Sequence, residues 1–134
     1  MDEIKNNLNH NSTGQTGEQV AANFLKNKGY EILGMNFKNN SGRIVGEIDI
    51  IARDLEQNEV VFAEVKTREY SRYKDTLPEE NISYQKLRRL AKIATIYLRK
   101  NHLEDSAYRF DAISIWLNFE TRMAKIKHIP NIYL

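Results

Sequence analysis

Two apolar runs, each interrupted by one acidic residue, constrain this chain more than any other feature. They lie in the segment GEIDIIARDLEQNEVVFAEVKTR, residues 46–68, with Asp49 in the first run and Glu64 in the second. Both runs are rich in β-branched residues, and the polar segment between them predicts a β-hairpin. Because burial of an unpaired charge is unfavourable, each acid in these strands requires a structural or chemical explanation.

The predicted hairpin brings the two acids together. Side chains alternate between the faces of a strand, so Glu47, Asp49 and Ile51 are expected on one face of the first strand. By the same alternation, Glu64 and Lys66 share one face of the second strand. A turn at the centre of the polar segment places Asp49 directly opposite Glu64. A slip by one residue would move every apolar side chain to the wrong face, so the pattern favours this register.

An opposed pair of carboxylates favours a bound cation. Directly opposed residues have Cβ atoms about 4.5–5.5 Å apart, where like charges repel. Two partly buried acids at this distance raise each other's pKa or hold a cation between them. Mg²⁺ or Mn²⁺ accepts oxygen ligands and retains water, whereas Ca²⁺ usually needs more protein oxygens. The sequence therefore predicts a Mg²⁺ or Mn²⁺ site at this hairpin.

Two further charged residues are expected at the same site. Glu18 precedes apolar residues by three, four and seven positions, so it heads the inward-facing stripe of a predicted helix. A favourable interaction with the helix dipole is the alternative for this residue. Lys66 could deprotonate an attacking water or stabilise charge on a phosphate. A salt bridge with Glu47 is the alternative for Lys66.

The remaining patterns predict an α/β fold with a mixed β-sheet flanked by helices, in the order α-β-β-β-α-β-β. Residues 1–13 are polar and Asn-rich and are predicted to form a flexible tail, followed by one domain over residues 14–134. The helices are predicted over residues 16–28, with Thr16 and Gln19 as a capping box, and over residues 83–100, with Ser83 as the cap. The strands are predicted at residues 30–38, 43–53, 59–67, 108–117 and 122–129, with a turn at residues 39–42.

Basic residues gather at two places that suit contact with nucleic acid. One arc of the second helix carries Arg88, Arg89, Lys92, Arg99 and Lys100, and the loop after the third strand interleaves Arg68, Arg72 and Lys74 with Tyr70 and Tyr73. A solvated helix face and an ordinary exposed loop are the alternatives. Lys86 differs because it lies on the inward side of the helix, where it could reach the site or a substrate phosphate.

Composition excludes several classes of protein and site. The chain has no cysteine and only three histidines, far apart in sequence, which excludes disulfides and thiolate zinc sites. No apolar stretch is long enough to cross a membrane, and the first residues lack the apolar core of a signal peptide, so a cytoplasmic location is expected. A net charge of +2 neither requires nor excludes a nucleic-acid partner. Asp111, which interrupts a later strand, is expected to form a salt bridge with an arginine.

The order and spacing of these acids and the lysine resemble those of the PD-(D/E)xK nuclease superfamily, in which Glu64-Val65-Lys66 would be the third-strand motif. The acid of the second strand stands in Ile48-Asp49, without the superfamily's proline. More closely, the chain resembles the YraN-like family of predicted bacterial endonucleases. This likeness rests on GEQVAANFLKNKGYEIL, Asn36, GEIDIIA, FAEVKTR, the mid-chain helix with Lys86 and the closing IKHIPNIYL.

The resemblance implies a restriction-endonuclease-like core and assigns roles to the site residues. Asp49, Glu64 and the backbone carbonyl of Val65 would bind the metal, Glu18 would assist directly or through water, and Lys66 would activate the nucleophile. The superfamily includes archaeal Holliday-junction resolvases, so a branched or single-stranded DNA substrate is expected, and a homodimer would suit a junction. The alternatives are a non-catalytic DNA-binding or scaffolding module and a hydrolase of small phosphate esters.

Overall fold

The chain forms a mixed six-stranded β-sheet with helices on both faces. The computed structural model describes residues 2–5, 13–39, 46–69 and 83–132. In chain order the elements are β1 (Asp2–Lys5), α1 (Thr13–Asn27), β2 (Tyr30–Lys38), β3 (Glu47–Asp54), β4 (Glu59–Glu69), α2 (Tyr84–Lys100), β5 (Tyr108–Asn118) and β6 (Met123–Ile129). The strand order is β1-β6-β5-β4-β3-β2, and only β4 and β5 are parallel among these neighbours. The predicted α/β class is confirmed.

Most predicted element boundaries agree with the structure to within a few residues. The second helix begins after Ser83, whose side chain accepts the N–H of Lys86, as predicted. The first helix begins at Thr13 rather than at a Thr16 cap, and the Thr16 hydroxyl is buried in the helix without a hydrogen-bond partner in the described part of the chain. Gly29 has a φ of 92° just past the helix, which suits a glycine stop.

Strand β1 is a feature that the sequence did not predict. Asp2 to Lys5 pairs antiparallel with β6 at one edge of the sheet, within the segment predicted as a tail. Four mostly polar residues carry too weak an alternation to be identified from sequence. Residues 6–12 of that tail, and residues 40–42 of the predicted turn, lie outside the described residues. Within the described part of the chain, neither helix is long and apolar enough to cross a membrane.

The β3–β4 hairpin has the predicted register. The paired residues run from Ile50 with Ala63 to Asp54 with Glu59. The turn is closed by the Asp54 side chain, whose Oδ1 accepts the N–H groups of Glu56 and Gln57 at 3.0 and 3.2 Å. An Asx side chain that caps its own turn explains why the polar segment reverses the chain at this point.

The two faces of the sheet carry separate hydrophobic clusters. The cluster on the α1 side includes Val20, Ala21, Phe24, Leu25, Ile50, Ala52, Ala63, Val65, Ile113 and Ile115. The cluster on the α2 side includes Ile48, Ile51, Val60, Phe62, Leu87, Leu90, Ile93, Ala94, Tyr97 and Leu98. The apolar side chains of α2 are therefore buried against the sheet. Burial of each large aliphatic side chain contributes about 1.5–3 kcal/mol, which fixes both helices on the sheet.

Side-chain alternation in β2 reverses at Asn36. Met35 packs on the α1 side, whereas Phe37 packs on the α2 side. In a regular strand, residues two apart lie on the same face. Asn36, between them, has a φ of 53° and so adopts the left-handed conformation that Asn tolerates better than most residues.

Side-chain alternation in β3 also reverses, at Asp49, which lies opposite Asn36. Ile48 and Ile50 pair with the two residues that flank Asn36, and they too lie on the α2 and α1 sides respectively. Asp49, between them, is therefore the residue at which β3 changes face. The prediction that Asp49 and Ile51 share a face is wrong, because Ile51 packs on the α2 side whereas the Asp49 carboxylate lies beside Glu18 of α1.

A buried arginine holds the far end of the sheet. Arg109 donates through Nε to Asp111 Oδ1 at 3.0 Å, through Nη1 to Asp54 Oδ2 at 2.9 Å and through Nη2 to the Tyr30 hydroxyl at 2.8 Å. His128 Nε2 lies 2.7 Å from the second oxygen of Asp111. These contacts confirm the predicted salt bridge of Asp111 and give the acid a structural role. Asp54 lies five residues along β3 from Asp49, roughly 16 Å away, so this network is separate from the predicted metal site.

Candidate metal centre

Three carboxylates from two elements lie close together where β2 and β3 change face. Glu18 of α1 and Glu47 and Asp49 of β3 each offer an oxygen, and these oxygens lie within 4.8 Å of one another. Asp49 is buried, and the other two residues are half-buried. The structure thus brings together the predicted Glu18 and Asp49 and adds Glu47. Sequence reasoning treated Glu47 only as a partner for Lys66, although its position two residues before Asp49 was a usable signal.

Asp49 lies just beyond the last β3–β4 backbone pair, and its side chain contacts β4 instead. Its Oδ2 accepts the backbone N–H of Val65 at 2.8 Å. Burial, and then the negative charge of Glu64, raise the pKa of Asp49 to about 8, although the Val65 N–H opposes the shift. The contact that the structure gives Val65 is therefore through its N–H, and the predicted role of its carbonyl stays a prediction.

Glu64 lies close to Asp49 but is engaged by lysines. Its carboxylate is near enough to Asp49 to form a hydrogen bond and to raise the pKa of that acid. The side chain of Glu64 is only 4% exposed, and its Oε1 contacts Nζ of Lys86 directly and lies 3.6 Å from Nζ of Lys66. The predicted pair of acids is thus present, with Glu64 compensated by two cations rather than grouped with Glu18 and Glu47.

The two lysines have opposite electrostatic environments. Burial and the neighbouring Lys86 lower the pKa of Lys66 despite the opposing charges of Glu64 and Asp49. Burial also disfavours the charged form of Lys86, but its hydrogen bonds with Glu64 and Lys66 outweigh that effect and raise its pKa. Lys86 is therefore the residue that keeps its proton, and Lys66 is the amine that more readily loses one.

The alternative account of Lys66 as the partner of Glu47 is wrong. Glu47 Oε2 lies 3.5 Å from Nζ of Lys38, on the neighbouring strand β2, and Lys66 faces Glu64 instead. Because the β3–β4 pairing described above ends at Ile50, residues beyond it no longer face one another as in a continuous ladder. Lys66 consequently lies against the acid of its own strand.

Glu18 is positioned by α1 and by Asn36. The helix begins at Thr13, so Glu18 lies in the second turn, where the helix dipole has little effect, and the dipole account is not supported. Burial raises the pKa of Glu18, with smaller contributions from Glu47 and Glu64, whereas a hydrogen bond from the Asn36 side chain lowers it. A cavity of about 350 Å³ opens beside this carboxylate and is lined by Gln15, Glu18, Gln19, Met35 and Asn36. Asn36 was identified from the sequence only through the family likeness, because nothing in its local pattern marks a change of face.

Gly17 allows α1 to approach β4 closely enough for this arrangement. A Cβ atom built on Gly17 would lie 1.9 Å from Oγ1 of Thr67, far inside van der Waals contact. The close approach of α1 to β4 therefore depends on the glycine before Glu18.

The predicted nucleic-acid residues fall into four groups. Lys86 lies on the inward side of α2, as predicted, and contacts Glu64. Arg88 and Lys92 are exposed on α2, and the Arg88 guanidinium lies 5.9 Å from the centre of the exposed Tyr84 ring. Arg68 is half-buried and donates to the carbonyl of Thr67 at 3.2 Å. Arg72 and Lys74 lie outside the described residues.

The donor set fits a hard divalent cation. Glu18, Glu47 and Asp49 offer carboxylate oxygens, the ligand type that Mg²⁺ and Mn²⁺ prefer. Burial first, and then the neighbouring carboxylates, raise the pKa values of Glu18 and Asp49, and a bound divalent cation would oppose this rise.

Residues 17–115 match the uncharacterised protein family UPF0102. The matched span contains all the residues that contact one another at the site. A UPF0102 protein of Caldanaerobacter subterraneus subsp. tengcongensis is 39% identical over 127 residues, covering 94% of this chain and 98% of the relative. Relatives from Caldicellulosiruptor saccharolyticus and Clostridioides difficile are 36% and 38% identical over 126 residues, each covering 94% of this chain and 100% of the relative.

Proposed function

We propose that this chain, which belongs to the uncharacterised protein family UPF0102, is a Mg²⁺- or Mn²⁺-dependent endonuclease that hydrolyses DNA phosphodiester bonds. On this proposal its α/β fold is the restriction-endonuclease-like core of the PD-(D/E)xK superfamily. The observation that carries the proposal is the meeting of the Glu18–Glu47–Asp49 cluster with the buried Glu64 and its two lysines.

Each residue has a chemical role that follows from its environment. Glu18, Glu47 and Asp49 would hold the cation, which when bound supplies Lewis-acid polarisation of the phosphate and an acidified water. Lys66, with its lowered pKa, is the group best suited to accept a proton from the attacking water. Lys86 remains charged and orients Glu64.

The exposed basic residues suit the rest of a DNA substrate. Arg88 and Lys92 lie on the outer face of α2, the same helix whose inner face delivers Lys86 to the site. Phosphate contacts there would make binding depend on salt. A substrate that is branched or single-stranded is the form we infer from the superfamily likeness.

The test is cleavage of labelled single-stranded, duplex, flap and four-way-junction DNA with Mn²⁺ or Mg²⁺. Wild type, Asp49→Ala, Lys66→Ala and the control Asp105→Ala are compared. Asp105 is an exposed acid in the turn after α2, so Asp105→Ala matches the charge change of Asp49→Ala without touching the site. We expect at least a ~100-fold loss of cleavage in the two site variants and none in the control.

Two outcomes would contradict the proposal. Cleavage that survives both site substitutions would exclude this site as its source. Release of phosphate from nucleotides, without cleavage of any DNA, would instead support a hydrolase of small phosphate esters.

One observation favours a second candidate, a non-catalytic DNA-binding or scaffolding module. Glu64 is compensated by Lys66 and Lys86, which is how a buried acid is stabilised in a site that needs no ion. Mn²⁺ titration separates the two candidates, because a module of this kind would bind DNA but show no Mn²⁺ affinity that depends on Asp49.

A further inference from the structure

We propose that Asn36 is a positioning residue of the cation site, whose side-chain amide holds the Glu18 carboxylate beside Glu47 and Asp49. The inference rests on the proposed function, because it takes the carboxylate cluster to be the place where a divalent cation binds. It assigns a role to a residue of β2, an element that otherwise contributes no group to the cluster of three oxygens.

The backbone of Asn36 is the first support for this role. Asn36 stands between Met35 and Phe37, which pair with Ile50 and Ile48, so it lies opposite Asp49. Its φ of 53° is the left-handed conformation, which few residue types other than Gly, Asn and Asp adopt. Both strands change face at this pair, and this change leaves the Asp49 carboxylate on the α1 side. This left-handed residue therefore lies directly opposite a site acid, at the pair where both strands change face.

The environment of Glu18 is the second support. Glu18 is half-buried, and one of its carboxylate oxygens lies within 4.8 Å of an oxygen of Glu47 and of an oxygen of Asp49, where like charges repel. The cavity of about 350 Å³ beside it leaves room for the side chain to turn away from the other acids. The Asn36 side chain forms a hydrogen bond with this carboxylate and lines the same cavity, so it can hold the carboxylate against that repulsion. Without that donor, repulsion would move Glu18 towards the cavity and leave a site of two carboxylates.

The experiment separates the amide from the backbone by using glycine. Asn36→Gly removes the side chain but adopts the left-handed conformation freely, so the strand reversal is retained. Asn58→Gly is the matched control, because Asn58 has a φ of 54° in the β3–β4 turn, away from Glu18, Glu47 and Asp49. Mn²⁺ affinity of each folded protein is measured by calorimetry and by electron paramagnetic resonance, without DNA. We expect roughly 10-fold weaker binding for Asn36→Gly and no change for Asn58→Gly.

A double-mutant cycle tests whether Asn36 acts through Glu18. Glu18→Gln alone should weaken Mn²⁺ binding, because it removes a charged ligand. In that background, Asn36→Gly should have little further effect, since the group that it positions is already absent. A purely structural role for Asn36 would instead give additive losses in the cycle.

The outcomes distinguish this inference from the proposed function. If wild type binds Mn²⁺ and Asn36→Gly binds it equally well, or if the two losses are additive, the positioning role is overturned and the cation site stands. If wild type binds no Mn²⁺, the cation site itself fails, and the role of Asn36 fails with it.

Discussion

At the scale of single residues, the site contains acids whose burial in the charged form is unfavourable. Asp49 is buried beside Glu64, and its pKa is raised from 3.8 to about 8. In the unfolded chain the same acid loses its proton near 3.8. Between these two pH values the folded state binds more protons than the unfolded state, so the free energy of unfolding falls as pH rises.

Asp49→Asn should therefore stabilise the metal-free protein, and increasingly so from about pH 4 to pH 8. Asn retains an oxygen for the Val65 N–H and carries no charge to bury. We expect the gain in the free energy of unfolding to grow by up to about 6 kcal/mol between pH 4 and pH 8, since the pKa of Asp49 rises from 3.8 to about 8 and each unit of pKa is worth ~1.4 kcal/mol. Urea unfolding in the presence of a chelator, at several pH values, measures the gain.

The same measurement with Mn²⁺ supplies the control. On the proposed function, Mn²⁺ should stabilise wild type at pH 8 and have little effect on Asp49→Asn. A stability difference between the two proteins that does not change with pH would contradict the electrostatic account of Asp49.

At the scale of elements, each helix makes a contact with β4 that helps to position it at the site. For α1 that contact is Gly17 against Thr67. Gly17→Ala would force the helix away from the strand and move Glu18 from the other acids. We expect a loss of about 2 kcal/mol or more in stability and weaker Mn²⁺ binding.

Gly14→Ala is the control for this prediction. Gly14 is in the same helix, and a Cβ atom built on it meets nothing within 4 Å. It should stabilise the protein by up to about 1 kcal/mol, because alanine favours the helix. Equal effects of the two substitutions, measured by thermal unfolding, would show that the close approach has no consequence.

For α2 the corresponding contact is the ion pair between Lys86 and the buried Glu64. Lys86→Met should destabilise the protein at pH 7 by about 1–2 kcal/mol, because it removes the cation that contacts Glu64 directly. Lys92→Met, on the exposed face of the same helix, should change stability by less than about 0.5 kcal/mol. Adding Glu64→Gln to Lys86→Met should recover most of the loss; no recovery would mean that the lysine stem, rather than its charge, stabilises this contact.

At the scale of the whole molecule, the sequence predicts the sheet and helices better than it predicts the site. Hydrophobic periodicity and turn chemistry identified β2 to β6, the faces of α2 and the register of the hairpin, because these depend on local pattern. The reversal at Asn36 and Asp49 was missed because it requires two neighbouring strands to change face together. Glu64 and the inward position of Lys86 were both predicted. The ion pair between them was not, because it depends on how α2 packs over the sheet, which no spacing in the sequence encodes.

On the proposed function, one DNA substrate would contact both the basic residues of α2 and the acid cluster. Arg88→Gln with Lys92→Gln should weaken DNA binding and reduce the slope of log affinity against log salt. The reduction should be roughly 0.9 on duplex DNA, and roughly 0.7 on a single strand, for each phosphate that the variant no longer neutralises. Lys26→Gln, in the last turn of α1 on the opposite side of the sheet, is the control and should leave the slope unchanged. Fluorescence anisotropy at several salt concentrations measures the slopes. An unchanged slope in the double variant would mean that DNA does not follow this face of α2, whichever residues cut it.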